Sequence, residues 1–218
     1  MDPNKKLKLL PREEYKGINV NDEDPIHYYY WPILGKMYQR RVELCLAECR
    51  GGERILEIGY GNGLTFINLN EMYAEIHGLD LKTNAAEIAS IFEMHGIRTY
   101  LKQGTVFQLP YQEGYFDSVL LISILEHLKP NELKKAFQEI RRVLKPGGQM
   151  VYGVPVERPF MVAMFRLLGH DIRQSHFSSE KQIATAANEL FREEKIINMK
   201  SIPPVFGIVY EVGHFVKG

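Results

Sequence analysis

Cysteine is almost absent from this chain of 218 residues, which contains only Cys45 and Cys49. The two lie one helical turn apart in a segment that reads as helix, neighbours on one face without the geometry for a disulfide. Two thiols exclude a disulfide scaffold, and without a third ligand close by they make a poor metal site. Reduced cysteines packed in a core are the expectation. An excess of either charge is also missing, with lysine plus arginine at 27 against aspartate plus glutamate at 27. No global field would therefore gather the protein onto a polyanionic nucleic acid or an anionic membrane surface. No apolar run approaches the length of a membrane span, and residues 1–8 are charged and lack the apolar stretch of a signal peptide, so the expected location is the cytoplasm. Internal repeats and low-complexity segments are lacking too. What is present is a hydrophobic share of 45% beside a charged share of 25%, the balance of one globular domain that buries its core without staples.

Residues 54–58 form a short, mostly apolar strand that runs at once into the turn Gly59, Tyr60, Gly61, Asn62, Gly63. A helix is expected from Leu64 towards Tyr73, then a strand over 75–79 ending at Asp80, a helix over 85–95 and a third strand over 98–102. Such alternation implies parallel strands joined by crossover helices. Residues 115–122 give a fourth strand, and Leu133, Phe137, Ile140 and Leu144 recur at helical spacing within 130–144. Lys145, Pro146, Gly147 and Gly148 stop that helix and lead into a fifth strand over 149–154. The apolar stretch 160–168 is too short to cross a bilayer and reads as a lid or packing helix. Ser179 with Gln182 makes a capping box opening a helix to about Phe191, and residues 195–202 and 206–216 read as two closing strands around Pro203 and Pro204. The predicted fold is α/β, a Rossmann-like doubly wound sheet of seven strands, mostly parallel with a C-terminal antiparallel hairpin. Residues 1–50 would be a helical and aromatic lid segment, and 51–218 the main domain with a lid insertion at about 155–178.

Glycines at the end of the first strand let the backbone approach a ligand closely, and the helix that follows aims its first amides at any negative group there. A dinucleotide fingerprint needs a third glycine for helix packing where this chain has Leu64. The spacing is instead Glu57-x-Gly59-x-Gly61-x-Gly63. Residues 56–63 thus resemble the first motif of class I methyltransferases, in which the glycine turn supports the methionine part of S-adenosylmethionine. Asp80 matches that family's ribose-binding acid, which can accept from both ribose hydroxyls. The stretch from Gly104 to Asp117 resembles the family pattern of a Leu-Pro pair before a Phe-Asp and the fourth strand. Where many members have an aspartate for the adenine amino group, this chain has Thr105, so adenine recognition would rest on Thr105 and the backbone of Val106. Phe107 could stack on the ring or join the core. Asp117 is expected to be structural, because it precedes the apolar run of the fourth strand and so lies away from the carboxyl ends. The resemblance covers roughly 54–154 and is closest in flavour to the group that includes ubiquinone and menaquinone methyltransferases, with the turn at 144–148 typical of it. It implies a cofactor site made of Glu57, Gly59, Tyr60, Gly61, Gly63, Asp80, Leu81, Gly104, Thr105, Val106 and Ser123, with S-adenosylhomocysteine as product.

Methyl transfer is an in-line displacement at a sulfonium carbon, so positioning and exclusion of water matter most. A base matters when the acceptor is a hydroxyl, and a histidine suits that task. His127 follows the fourth strand's carboxyl end and is the first candidate; His176 is the second. Related ubiquinone O-methyltransferases carry Glu-x-x-Glu-His here and are thought to hold a metal, but Ser123 replaces the first glutamate, so no required metal is expected. Tyr28, Tyr30 and Trp31 lie in an aromatic cluster that resembles segments folding over the cofactor, where they could pack a lid, stack on substrate or attract the sulfonium.

The expected partner is a small-molecule acceptor methylated on oxygen, nitrogen or carbon, with no nucleic acid, no integral membrane association, and a monomer or homodimer. A macromolecule methyltransferase is the alternative, but there is no basic patch for RNA and no Asn/Asp-Pro-Pro-Tyr or Phe run after the fourth strand. A non-catalytic S-adenosylmethionine binder and a nicotinamide dehydrogenase share the architecture, with Leu64 arguing against the latter.

Overall fold

The computed structural model describes residues 6–15, 26–32, 34–156, 176–201 and 207–218. Its sheet has seven strands: β1 (Gly52–Ile58), β2 (Tyr73–Asp80), β3 (Thr99–Gln103), β4 (Phe116–Ile122), β5 (Leu144–Pro155), β6 (Arg192–Lys200) and β7 (Ile208–Val216). The helices are α1 (Leu34–Glu48), α2 (Phe66–Asn70), α3 (Ala85–Met94), α4 (Pro130–Val143) and α5 (Glu180–Asn188), with 3-10 turns at Arg12–Tyr15, Ile26–Tyr30 and Leu125–His127.

The strand order is β3-β2-β1-β4-β5-β7-β6. The first five strands in chain order pair in parallel, while β7 runs antiparallel to both β5 and β6. Successive residues of a strand face opposite sides, so each central strand feeds two cores. Ile55, Leu120 and Val151 join Val42, Phe66, Ile88 and Phe92 on one face. Leu56, Val119, Leu121 and Met150 join Leu133, Phe137, Ile140 and Ile183 on the other. Buried on both faces, these strands read as nearly continuous apolar runs.

Helix α4 shows how the local signals agree. Pro130 occupies its first turn, the Glu132 side chain accepts from the Lys129 amide at 2.9 Å, and Leu133, Ala136, Phe137, Ile140 and Val143 are buried along one stripe. Each fully buried large apolar side chain there contributes roughly 1.5–3 kcal/mol. The capping box expected at Ser179 and Gln182 opens α5, with the Ser179 amide donating to Gln182 Oε1 at 2.9 Å. Asp117 is structural as expected: its Oδ2 accepts from the Arg54 amide at 2.8 Å and its Oδ1 from Lys145 Nζ at 2.7 Å. Burial pushes its carboxyl up, but Lys145 and the two amides of 53 and 54 outweigh burial and hold it below its ordinary value.

Several boundaries differ from the sequence reading. The helix expected from Leu64 to Tyr73 shrinks to α2, because Gly63 to Thr65 complete a turn and Tyr73 already starts β2 opposite Gly52. Strand β5 begins at Leu144 rather than 149, its first residues opposite Phe116 with an irregular register before Gln149. Strand β6 begins at Arg192 rather than 195, where it pairs with Val216. Cys49 lies just past the end of α1, not within it; both thiols are free and fully buried. The apolar stretch 160–168, most of the lid insertion at 155–178 and the Pro203-Pro204 connection lie outside the described residues. Among the described residues no helix is long and apolar enough to cross a membrane.

Candidate active site

The sheet order reverses between β1 and β4, and in open α/β sheets ligands bind outside the carboxyl ends of the strands at such a point. The glycine turn leaves β1 there. Gly59, Gly61 and Gly63 have φ of 75°, 48° and 70°, values that L side chains rarely adopt. A Cβ on Gly63 would stand 2.6 Å from the Phe92 ring and 2.7 Å from the Phe66 ring, while one on Gly59 would run into Ile124. The turn therefore brings bare backbone to the cleft. The Tyr60 side chain turns away from it, buried beside Phe66 at a ring separation of 5.8 Å. Only the Tyr60 backbone is left for a ligand.

Glu57 is buried at the foot of the turn and takes the Thr65 hydroxyl's hydrogen bond. Loss of solvent pushes its carboxyl up to about 8; the Thr65 bond opposes that rise and the charge of Asp80 adds to it. Asp80 ties the neighbouring loop together, accepting from the Gly61 amide at 3.1 Å through Oδ2 and from the Lys82 and Thr83 amides at 2.9 and 3.0 Å through Oδ1. A carboxylate has about four acceptor positions, so room remains for hydroxyl donors. Leu81 beside it is 62% exposed, a large apolar side chain presented next to the Asp80 carboxylate. The Gly104 amide bonds to the Asp80 carbonyl at 2.9 Å, which brings the end of β3 alongside. Thr105 Oγ1 accepts from the Phe107 amide at 3.2 Å, Val106 is buried, and the Phe107 ring receives Lys135 Nζ at 5.6 Å.

Ser123 follows the last residue of β4 with φ of 56°, the only non-glycine residue at positive φ among the described residues. Its amide bonds to the Gly153 carbonyl at 2.8 Å and its hydroxyl shares a 3.0 Å hydrogen bond with the Tyr210 hydroxyl. Sparse backbone conformations of this kind concentrate at functional sites. The following 3-10 turn carries Glu126 and His127, and the Glu126 carbonyl accepts from the Phe177 amide at 2.8 Å and the Ser178 amide at 3.2 Å. Those bonds seat His176 beside His127, ring centroids 5.1 Å apart. One donor atom from each of Glu126, His127 and His176 lies within 4.8 Å of the others, a set able to hold a divalent ion or to pass a proton. Sequence reasoning named both histidines separately; their meeting depends on a hydrogen bond between segments fifty residues apart.

At the N-terminal side, Tyr28 packs edge-on against Trp31 at 4.9 Å and at a tilt against Tyr38 at 5.4 Å. Trp31 is 48% exposed. Tyr30 belongs elsewhere, its hydroxyl donating to the Leu10 carbonyl at 2.6 Å. One residue the sequence reading missed stands here: Arg41, whose Cζ lies 4.1 Å from the Tyr38 ring centroid and 5.3 Å from that of Tyr210. The available signal was a charge at helical spacing between Tyr38 and Cys45, on the face that packs inward.

Residues 56–152 match a methyltransferase domain family. An uncharacterized methyltransferase, YcgJ, of Bacillus subtilis is 31% identical over 152 residues, which cover 66% of this chain and 59% of that protein. A ubiquinone biosynthesis O-methyltransferase of Alkalilimnicola ehrlichii is 30% identical over 129 residues, covering 57% of this chain and 51% of that one. The chain thus spans between half and three-fifths of the length of these two relatives. Among solved structures, the N-methyltransferase NodS from Bradyrhizobium japonicum, in complex with S-adenosylhomocysteine, superposes with a TM-score of 0.67 at 19% identity over 90% of this chain and 93% of that one. The matched domain, the relatives and the seven-stranded fold agree: over residues 56–152 the chain is similar to methyltransferases, and its sheet is the Rossmann-like one of solved methyltransferase structures.

Proposed function

We propose that the protein transfers a methyl group from S-adenosylmethionine to an oxygen, nitrogen or carbon of a small-molecule acceptor. The observation that supports this reading is that the glycine turn, Asp80 and the His127–His176 pair stand at the carboxyl ends of the parallel strands β1, β2 and β4. The names of the ubiquinone biosynthesis O-methyltransferase and of NodS support it. Asp80 would accept from the ribose hydroxyls, Leu81 and Val106 would flank the adenine, and Thr105 would face its amino group. The backbone of the glycine turn, with Glu57 beneath, would carry the amino-acid end. When bound, the cofactor supplies an electrophilic methyl carbon on a sulfonium. The protein's part is to hold the acceptor atom behind that carbon and to shed water from the site. His127, paired with His176, would take the proton of a hydroxyl acceptor. Residues 1–50, with Tyr28 and Trp31, would cover the site.

Calorimetric titration with S-adenosylmethionine, S-adenosylhomocysteine and NAD tests the cofactor. Both adenosyl compounds are expected to bind, NAD to stay silent, and Asp80→Ala to weaken binding at least about tenfold. Binding indifferent to Asp80 would remove the basis for the reading. Elemental analysis of the purified protein separates two uses of Glu126, His127 and His176. Metal well below one equivalent is expected; a full equivalent lost in His127→Ala would make the three residues ligands rather than a proton-transfer group.

A further inference from the structure

Ser123 holds a backbone conformation that a serine rarely keeps. Its φ of 56° lies in the left-handed region, where an L side chain is crowded and glycine is not. Such a conformation persists only where its surroundings hold it. Two bonds do so here: the Ser123 amide donates to the Gly153 carbonyl at 2.8 Å, and the Ser123 hydroxyl shares a 3.0 Å bond with the Tyr210 hydroxyl. The first continues the ladder between β4 and β5. The second comes from further away. Tyr210 belongs to β7, and β5 lies between β7 and β4, so its side chain reaches Ser123 only by crossing β5. It crosses at Gly153, where a Cβ would stand 2.7 Å from the Tyr210 hydroxyl and 2.6 Å from Cys45 Sγ on α1. The Tyr210 side chain is fully buried in that passage. Burial pushes its phenol well above the ordinary value, so the hydroxyl keeps its proton.

The turn at Ser123 decides where the next residues go. Ile124 is laid against the glycine turn, so close that a Cβ on Gly59 would stand 2.0 Å from Ile124 Cδ1. The Ile124 carbonyl accepts from the His127 amide at 3.1 Å, in the 3-10 turn that sets His127 beside His176. A serine relaxed into the extended region would swing both Ile124 and His127 from these places. We propose that Tyr210 is a positioning residue of this site: through its bond to Ser123 it fixes the left-handed turn just past β4, and with it the packing under the glycine turn and the place of His127. The inference rests on the reading of that site as the one for cofactor and acceptor. Tyr210 lies outside residues 56–152, which match the methyltransferase domain, so the closing hairpin is part of the site's machinery and not only its border.

Glycine is the residue type for which the turn needs no tether, and the test uses that. S-adenosylhomocysteine is titrated calorimetrically into wild type, Tyr210→Phe, Ser123→Ala, Ser123→Gly and the double variant Tyr210→Phe with Ser123→Gly. Tyr210→Phe and Ser123→Ala each break the bond and leave at 123 a side chain that resists positive φ, and each is expected to weaken binding about tenfold. Ser123→Gly is expected to bind about tenfold better than Ser123→Ala, and the addition of Tyr210→Phe to Ser123→Gly to cost less than about twofold. Equal weakening in Ser123→Ala and Ser123→Gly would mean that the serine hydroxyl itself serves the ligand. Equal loss from Tyr210→Phe in both backgrounds would mean that the phenol acts by packing, and no loss from it that the phenol does nothing for the site; each of these overturns the proposal. If Tyr210→Phe fails to fold, the contrast between alanine and glycine at Ser123 decides alone. Wild type that does not bind the ligand overturns the cofactor reading by itself, and ligand-free NMR spectra then judge Tyr210. The Gly59 amide and His127 ring-proton shifts are expected to move in Tyr210→Phe and Ser123→Ala and to hold in Ser123→Gly; shifts unmoved in every variant overturn the proposal.

Discussion

Glu57 is the residue whose protonation the fold alters in a measurable way. Its carboxyl, ordinarily near 4.5, is pushed up to about 8 chiefly by burial. The folded protein thus keeps a proton that the unfolded chain gives up near its ordinary value. The stability linked to this group is full below about pH 4.5 and is lost as pH rises through about 8. Thermal unfolding followed from pH 5 to 9 is expected to show a decline in wild type that is shallower in Glu57→Gln, which keeps the shape without the titration. Parallel curves would mean that Glu57 is ionised in the fold. The glycine turn was legible in the sequence from its place between a strand and a helix, while Glu57 and Asp80 were expected at the site only through the resemblance to class I methyltransferases. Arg41 was not, since a charged residue on a helix ordinarily faces water, and only the packing of Tyr210 from the far end of the chain shows that this one does not.

Among the elements, the glycine turn and the capped helix make opposite demands on side chains. Gly63→Ala must place a Cβ against Phe92 and Phe66 at a φ of 70°, and a loss of about 1–3 kcal/mol in urea unfolding is expected, with weaker adenosyl binding. Ser179→Ala removes the cap of α5 and should cost about 1 kcal/mol without touching the cofactor. A Gly63→Ala variant as stable as wild type would show that the turn relaxes freely. The strands were legible because burial on both faces leaves long apolar runs, and α3 and α4 because their apolar residues recur at helical spacing. The shortness of α2 was not legible, since residues 71–73 carry nothing that distinguishes a continuing helix from the opening of β2; the pairing of Tyr73 with Gly52 decides it. The early start of β5 likewise depends on Phe116, a partner distant in sequence.

For the whole molecule, the controlling feature is that β7 lies between β5 and β6. Strand β6 is an edge whose Arg192, Glu193, Glu194 and Lys195 are exposed, a charged border that discourages pairing with another chain. It reaches the rest of the sheet only through β7. A chain ended after Gly207 is expected to lose its cooperative melting transition, although every residue of the glycine turn and of the Asp80 loop remains. Retention of a sharp transition would mean that β6 can pair with β5 directly.

The same order bears on how the protein is made. The ribosome delivers β6 before β7, yet β6 has no partner until β7 arrives, and β5 waits with an open apolar edge through all of that synthesis. A nascent chain that let β6 settle against β5 would have filled the gap with the wrong strand. The charges that keep β6 from other molecules also make it a poor early partner for β5, so the border that guards the finished protein keeps a place vacant while the chain is still being written.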